Sequence, residues 1–225
     1  MNPMKKRGRR IGLFVTFEGP EGSGKSTQIH YLDAALRKAG YSVTATREPG
    51  GTKVAEAIRR TLLSSADEKI TPETEALLVL AARNQHVAHL IQPALDRGSI
   101  VLCDRFADST FAYQGFGRGL PLSWLQIVNR AATGGVAPHL TLLLDLPPSI
   151  GLKRRGRARG IPNRLDRESM RFHLRVRQGF LTLASRAPQR IKVIDAARPI
   201  EVVRAEIEAL VLGWLRTKER RAGAG

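Results

Sequence analysis

Residues Gly19-Pro20-Glu21-Gly22-Ser23-Gly24-Lys25-Ser26 satisfy the pattern G-x-x-x-x-G-K-[ST]. They fall between an apolar run, Ile11 to Phe17, and a run with one helical face, Ile29, Leu32, Leu36 and Ala39. That placement constrains the chain more than any other feature. A strand feeding a glycine-rich turn that opens a helix gathers backbone N–H groups and the positive helix end around one anion. Side chains at Gly19, Gly22 and Gly24 would block phosphate oxygens from the backbone. Lys25 supplies a mobile positive charge for the outer phosphates of a triphosphate such as ATP, and Ser26 a hydroxyl for Mg²⁺. Residues 19–27, ending in Thr27, are the candidate donor-nucleotide segment.

The rest of the chain alternates in the same way. Strand-like runs at Ile11–Phe17, Ser42–Thr46, Ile100–Cys103, Leu140–Leu146 and Ile191–Ile194 are separated by helical patterns over Ser26–Ala39, Lys53–Ser64, Pro72–Leu95, Leu122–Ala132, Glu168–Ser185 and Pro199–Lys218. Glycines at 40, 98 and 134 mark helix ends. Alternation of this kind predicts an α/β fold, a five-stranded parallel sheet between two helical layers. In such sheets ligands collect beyond the carboxyl ends of the strands. Those ends are polar here: Glu18 and the phosphate loop, Arg47-Glu48-Pro49-Gly50-Gly51-Thr52, Asp104-Arg105-Phe106, and Asp145-Leu146-Pro147-Pro148 leading into an arginine cluster. Arginine-bearing segments on the same edge as a phosphate loop describe a site for several phosphates.

Charge bears on the choice of partner. The formal net charge is +17, but five Lys or Arg lie in residues 1–10, six in 151–164, and four with one Glu in 216–225, which leaves only +3 for the rest. A basic tail is expected over 1–10, one domain over 11–215 with a basic lid at about 153–164, and a second basic tail over 216–225. A nucleic-acid-binding ATPase is the rival of a different class. The aromatic share of 5% and the lack of aromatics among the basic tails argue against it. No apolar stretch reaches the length of a bilayer span, and the N-terminus lacks the apolar centre of a signal peptide, so a cytoplasmic protein without a membrane partner is expected. Cys103 is the only cysteine, which suits a reducing compartment.

With these segments in view, the chain resembles the thymidylate kinases, nucleoside-monophosphate kinases on the P-loop fold, from about Phe14 to Trp214. The resemblance is carried by Phe17 to Thr27, Arg47 to Thr52, Ala81 to Arg83 with Gln85-His86, Asp104-Arg105-Phe106, Ser109, Ala112-Tyr113-Gln114-Gly115, Ala132 to Gly135 and Leu143 to Pro148. It implies ATP and Mg²⁺ as cofactors, dTMP as acceptor and a homodimer. Arg47 and Arg105 would hold the acceptor phosphate, and Asp104 would support the metal with Ser26. Arg83 would meet the pyrimidine base, Tyr113 the sugar, and Gln114 would line the same pocket, with His86 as a structural partner.

The family divides into members with a basic residue inside the phosphate loop and members with lid arginines. Glu21-Gly22 is similar to the second group, so the lid contacts to the transferred phosphoryl group fall to Arg157 and Arg159. Two departures from the family pattern stand out. Val79 occupies a position where an aromatic usually stacks on thymine, leaving Val79 itself, Leu80 or Phe111 as apolar contacts; this keeps dUMP or dCMP open as acceptors. Asn163 and Asp166 replace the usual pair in a pattern written Asp-Arg-x-Glu.

Overall fold

The computed structural model describes residues 12–64, 69–157 and 164–222. Five strands, β1 (Leu13–Glu18), β2 (Val43–Arg47), β3 (Ile100–Asp104), β4 (Leu140–Asp145) and β5 (Ile191–Asp195), form one sheet in the order β2-β3-β1-β4-β5. Every neighbouring pair is parallel. This is the predicted sheet, with strand ends within two residues of the expected ones.

Sequence dictates which strand is central. All six residues of β1 are buried, including Thr16 and Glu18. Its side chains alternate between faces as a pleated strand requires. Leu13, Val15 and Phe17 enter a core with Ile29, Leu32 and Leu36 of α1 (Lys25–Lys38) and Val203, Ile207, Val211 and Leu215 of α9 (Ile200–Ala222). Phe14 joins Val101, Cys103 and Phe106 on the other face, beneath Ile91 and Ala94. Each such apolar side chain contributes about 1.5–3 kcal/mol on burial.

The helix expected over Pro72–Leu95 is a stack of three segments. α3 (Pro72–His86) passes through a π-helical turn, Val87–Ile91, into α4 (Gln92–Asp96). Pro93 sits at the start of α4, where a missing N–H costs least. α2 (Lys53–Leu63), α6 (Leu122–Thr133) and α8 (Met170–Arg186) match their predicted ranges within two residues.

Two helical elements carry no sequence signal. α5 (Ala107–Thr110) continues into a π-helical stretch, Phe111–Gly117, and α7 spans Pro148–Arg157. The first is buried on nearly all sides, so it has no polar face to set a period. The second holds two glycines and a run of basic residues, which read as a flexible loop beginning near residue 153. In the structure that run is helical through Arg157. The C-terminal basic segment likewise continues α9 to Ala222. Among the described residues, no helix is long and apolar enough to cross a membrane.

Candidate active site

The phosphate loop joins β1 to α1. Glycine is required there by contact as well as by conformation. Gly19 has φ +133°, and a β-carbon on it would lie 2.3 Å from the Leu144 carbonyl oxygen. At Gly22, with φ +68°, the same atom would lie 2.1 Å from the Gly151 carbonyl oxygen of α7. Lys25 Nζ donates to the carbonyl oxygens of Gly19 (3.1 Å) and Pro20 (2.9 Å) and to Ser23 Oγ (3.3 Å). Burial, reinforced by the Arg105 guanidinium, lowers the Lys25 ammonium to about 8. Ser26 Oγ donates to Asp104 Oδ2 at 2.7 Å. Asp104 reaches it because β3 lies beside β1, with Phe17 in register with Asp104.

Arg105 occupies the next position in an unusual backbone conformation, φ +73°, the only positive φ at a non-glycine among the described residues. Its Nη1 donates to the Gly19 carbonyl oxygen (2.9 Å) and to Ser109 Oγ (3.2 Å), and its Nη2 to Glu21 Oε1 (3.1 Å). Tyr113 donates its hydroxyl to the same Glu21 oxygen at 2.5 Å, and the guanidinium lies 5.0 Å from the Tyr113 ring centre. Burial would push the Glu21 carboxyl up, but Arg105, Lys25 and the Tyr113 hydroxyl outweigh it and hold the group below its ordinary value. The other Glu21 oxygen, Oε2, is buried without a hydrogen-bond partner.

From the end of β2, Glu48 is buried and accepts from Arg83 Nε (2.7 Å), with His86 Nδ1 3.1 Å from its other oxygen. His86 Nε2 meets Thr46 Oγ1 at 2.8 Å, so the imidazole braces β2. Arg83, 1% exposed, also donates to Asn129 Oδ1 (2.8 Å) and stands 4.9 Å over the Phe106 ring. Gln114 donates to Glu75 Oε1 (2.8 Å), a carboxylate that also accepts from Arg118 and Arg164. Arg47 is half exposed and bonds to Glu56.

All of this opens on one cavity of about 620 Å³. Lys25, Ser26 and Thr27 line it with Glu21, Gly22 and Gly24 on the donor side, next to Asp104, as do Arg47, Arg83, Arg105, Tyr113 and Gln114 on the acceptor side. Gly19, Pro20 and Ser23 of the same loop lie outside that lining and hold Lys25 through its hydrogen bonds. From the basic run Arg154 and Arg155 reach the cavity; Arg155 donates to Asp166 Oδ2 (3.2 Å), which lines it too. The Arg157 side chain, Arg159 and Asn163 lie outside the described residues.

Sequence reasoning gave no site role to several lining residues, among them Arg59, Thr110 and Phe106. Arg59 of α2 donates to the Pro49 carbonyl oxygen (2.8 Å) from inside the cavity. Thr110 also lines the cavity, and its Oγ1 is buried with no hydrogen-bond partner. Phe106 supplies the apolar wall beside Val79. Leu80 is instead buried and Phe111 packs on the core beneath the sheet, so neither replaces an aromatic at Val79. Arg59 sits seven residues past Thr52 on an amphipathic helix, where any arginine reads as solvent-facing.

A parallel sheet with a glycine-rich phosphate loop after its central strand, facing a second wall of arginines, defines a P-loop phosphotransferase. The family model described as thymidylate kinase matches residues 17–207. A thymidylate kinase of Thermomicrobium roseum is 56% identical over 210 residues, covering 93% of this chain and 99% of its own length. One from Deinococcus radiodurans is 54% identical over 200 residues, covering 89% and 96%. The crystal structure of thymidylate kinase from Ehrlichia chaffeensis superposes with a TM-score of 0.72 at 34% identity, covering 88% of this chain and 98% of that one. The chain belongs to the thymidylate kinase family.

Proposed function

We propose that the cavity is a two-sided site in which ATP on the phosphate loop passes its γ-phosphoryl group in line to the 5′-phosphate of dTMP, giving ADP and dTDP. The activity is that of the family. What supports this use of the cavity is one observation: Arg105 Nη1 donates to the Gly19 carbonyl oxygen of the donor loop from the acceptor wall. A single guanidinium would thus lie between the donor loop and the acceptor phosphate.

No general base is required, because the second ionisation of a phosphate monoester lies near about 6 and its oxygen is already charged at neutral pH. The chain must align two anions and offset the charge that spreads over the transferred group. Lys25 does this from the donor side, once it exchanges its loop carbonyls for phosphate oxygens. Arg105 does it from the acceptor side, while Arg47 and Arg59 help to bind and align the acceptor phosphate. Arg157 and Arg159 are the proposed lid contacts. Glu21, whose Oε2 makes no hydrogen bond and lies 3.8 Å from His173 Nδ1, and Thr110, whose Oγ1 has no hydrogen-bond partner, are the residues offered to a hydroxyl of the sugar and a polar edge of the base. Arg83, Tyr113 and Gln114 complete that wall.

Ser26 Oγ and Asp104 Oδ2 form the metal position. A hydroxyl beside a single carboxylate, with no cluster of three or more acidic, His or Cys side chains among the described residues, suits Mg²⁺, which keeps waters and phosphate oxygens as its remaining ligands. Ser26 and Asp104 would hold the ion, which would neutralise part of the charge of the donor phosphates.

Val79 leaves the acceptor preference to experiment. ADP release with Mg-ATP across dTMP, dUMP and dCMP should be fastest with dTMP; a better rate with either alternative would sink the thymine assignment and keep the reaction class. A homodimer through α3 and α6 is proposed on the exposed side chains of Leu77 (52%) and Ile127 (71%), and sedimentation giving a monomer mass would overturn it. A cytoplasmic location is proposed from the single cysteine and the want of a membrane-length helix among the described residues.

A further inference from the structure

Arg105 is set by more than its own contacts. A left-handed conformation at a residue with a side chain costs about 1–2 kcal/mol and persists only where neighbours impose it. Here the peptides on both sides are pinned by the last two residues of β1. The Arg105 N–H donates to the Phe17 carbonyl oxygen (2.9 Å), and the Phe106 N–H donates to Glu18 Oε1 (2.8 Å). The second Glu18 oxygen accepts from Ser109 Oγ at 2.5 Å, and Ser109 Oγ in turn accepts from Arg105 Nη1 at 3.2 Å. Glu18 is 0% exposed and lies outside the cavity lining, so it touches neither nucleotide.

We propose that Glu18 is a positioning residue for the acceptor phosphate, acting on Arg105 through two arms. One arm is the Phe106 N–H, which fixes the backbone turn; the other is Ser109, which fixes the plane of the guanidinium. The proposal rests on the reading of Arg105 as an acceptor-phosphate ligand. Its physical reason is geometric: an arginine fork makes two parallel bonds to a phosphate only when its plane is fixed, and a misplacement of about 1 Å is costly.

Hydrogen-bonding shape is what the device needs, more than charge. Burial, with Asp108 nearby, pushes the Glu18 carboxyl up to about 8. A proton on Oε2 would reverse the bond to Ser109 without removing it. An amide in the same place keeps an oxygen for the Phe106 N–H and a polar atom against Ser109, whereas an apolar side chain of similar length keeps neither.

The test is the KM for dTMP measured beside the KM for ATP, quantities that do not depend on the fraction of enzyme folded. Ser109→Ala is expected to raise the KM for dTMP about fivefold, and Glu18→Met tenfold or more. Glu18→Gln should stay within twofold of wild type, and the KM for ATP within twofold in all three. Ser109→Ala removes one buried hydroxyl and tests the relay even where Glu18→Met does not fold; Ser109 also lines the cavity, so a rise shared with Glu18→Met, whose side chain lies outside the lining, is the signature of the relay. A KM for dTMP within twofold of wild type in Ser109→Ala, or equal rises for both substrates, overturns the proposal. Arg105→Ala separates the two levels. If it raises the KM for dTMP while Ser109→Ala does not, the relay alone fails; if it too leaves that KM unchanged, the Arg105 assignment fails and the relay with it.

Discussion

Gly22 of the phosphate loop and Gly151 of α7 meet without room for a methyl group between them. A β-carbon on Gly22 would lie 2.1 Å from the Gly151 carbonyl oxygen, and one on Gly151 would lie 2.1 Å from the Glu21 carbonyl oxygen. The phosphate loop therefore rests directly on the helix that carries the first part of the basic run.

Because both obstacles are backbone, neither can swing aside. Gly151→Ala is expected to displace α7 from the loop, at a cost of about 1–3 kcal/mol typical of overpacking. A melting scan should show a fall of roughly 2–10 °C, and the KM for ATP should rise more than that for dTMP. A variant with wild-type melting and kinetics would mean that the two segments slide past each other freely.

Lys25 gives a pH dependence whose sign follows from its lowered pKa. In the free enzyme its charge is present below about 8 and is lost as pH rises through that value. A bound triphosphate favours the charged form, so the fall should appear in kcat/KM for ATP above pH 8 and only at higher pH in kcat. By the same linkage, ATP binding near pH 8 should take up protons, measurable by titration calorimetry in buffers of different ionisation enthalpy. A kcat/KM for ATP that is level to pH 10 would refute the shift.

Arg59 is the arginine that the strand-end reading overlooked. Its guanidinium lines the cavity, and Arg47 and Arg105 are close enough, after burial, to help lower its pKa. Such crowding of arginines, offset only in part by Glu56 and Asp104, suits an acceptor phosphate. Arg59→Ala should raise the KM for dTMP about tenfold, one charge-assisted hydrogen bond, with kcat within threefold. An unchanged KM would assign Arg59 to bracing the Pro49 loop alone.

Stability should separate two ion pairs that look alike in sequence. Glu48 and Arg83 are buried together at 2.7 Å, whereas Arg47 and Glu56 meet at 3.0 Å with side chains 55% and 32% exposed. Glu48→Ala strands a buried guanidinium and deprives His86 of its partner, at about 3–5 kcal/mol. Glu56→Ala should cost about 1 kcal/mol or less. In melting scans the first should fall by roughly 6–20 °C and the second by no more than about 4 °C; equal shifts would contradict the burial argument.

Most of the site was legible because its chemistry is local. The glycines, Lys25 and Ser26 lie within one turn, and Asp104 with Arg105 ends a strand whose apolar run announces it. Arg83 and Gln114 were found only through resemblance, since each sits within a helical stretch. Thr110 and Arg59 gave no signal, because a threonine beside Phe111 and an arginine on α2 are indistinguishable in sequence from packing and solvent-facing residues.

By itself the sequence determined the parallel sheet, the strand that feeds the phosphate loop, and the polar residues waiting at the strand ends, because strand period, helix period and turn glycines act over a few residues. Tertiary structure alone decided which of those residues meet. The crossover that sets β3 beside β1 brings Asp104 to Ser26, 78 positions away, and Phe106 to Glu18, 88 positions away. It also turned the basic run at 153–157 into the end of a helix, since α7 is held against Glu21 and Gly22 by a contact that only two glycines permit. Such pairings depend on the register between distant segments, and no local pattern records it.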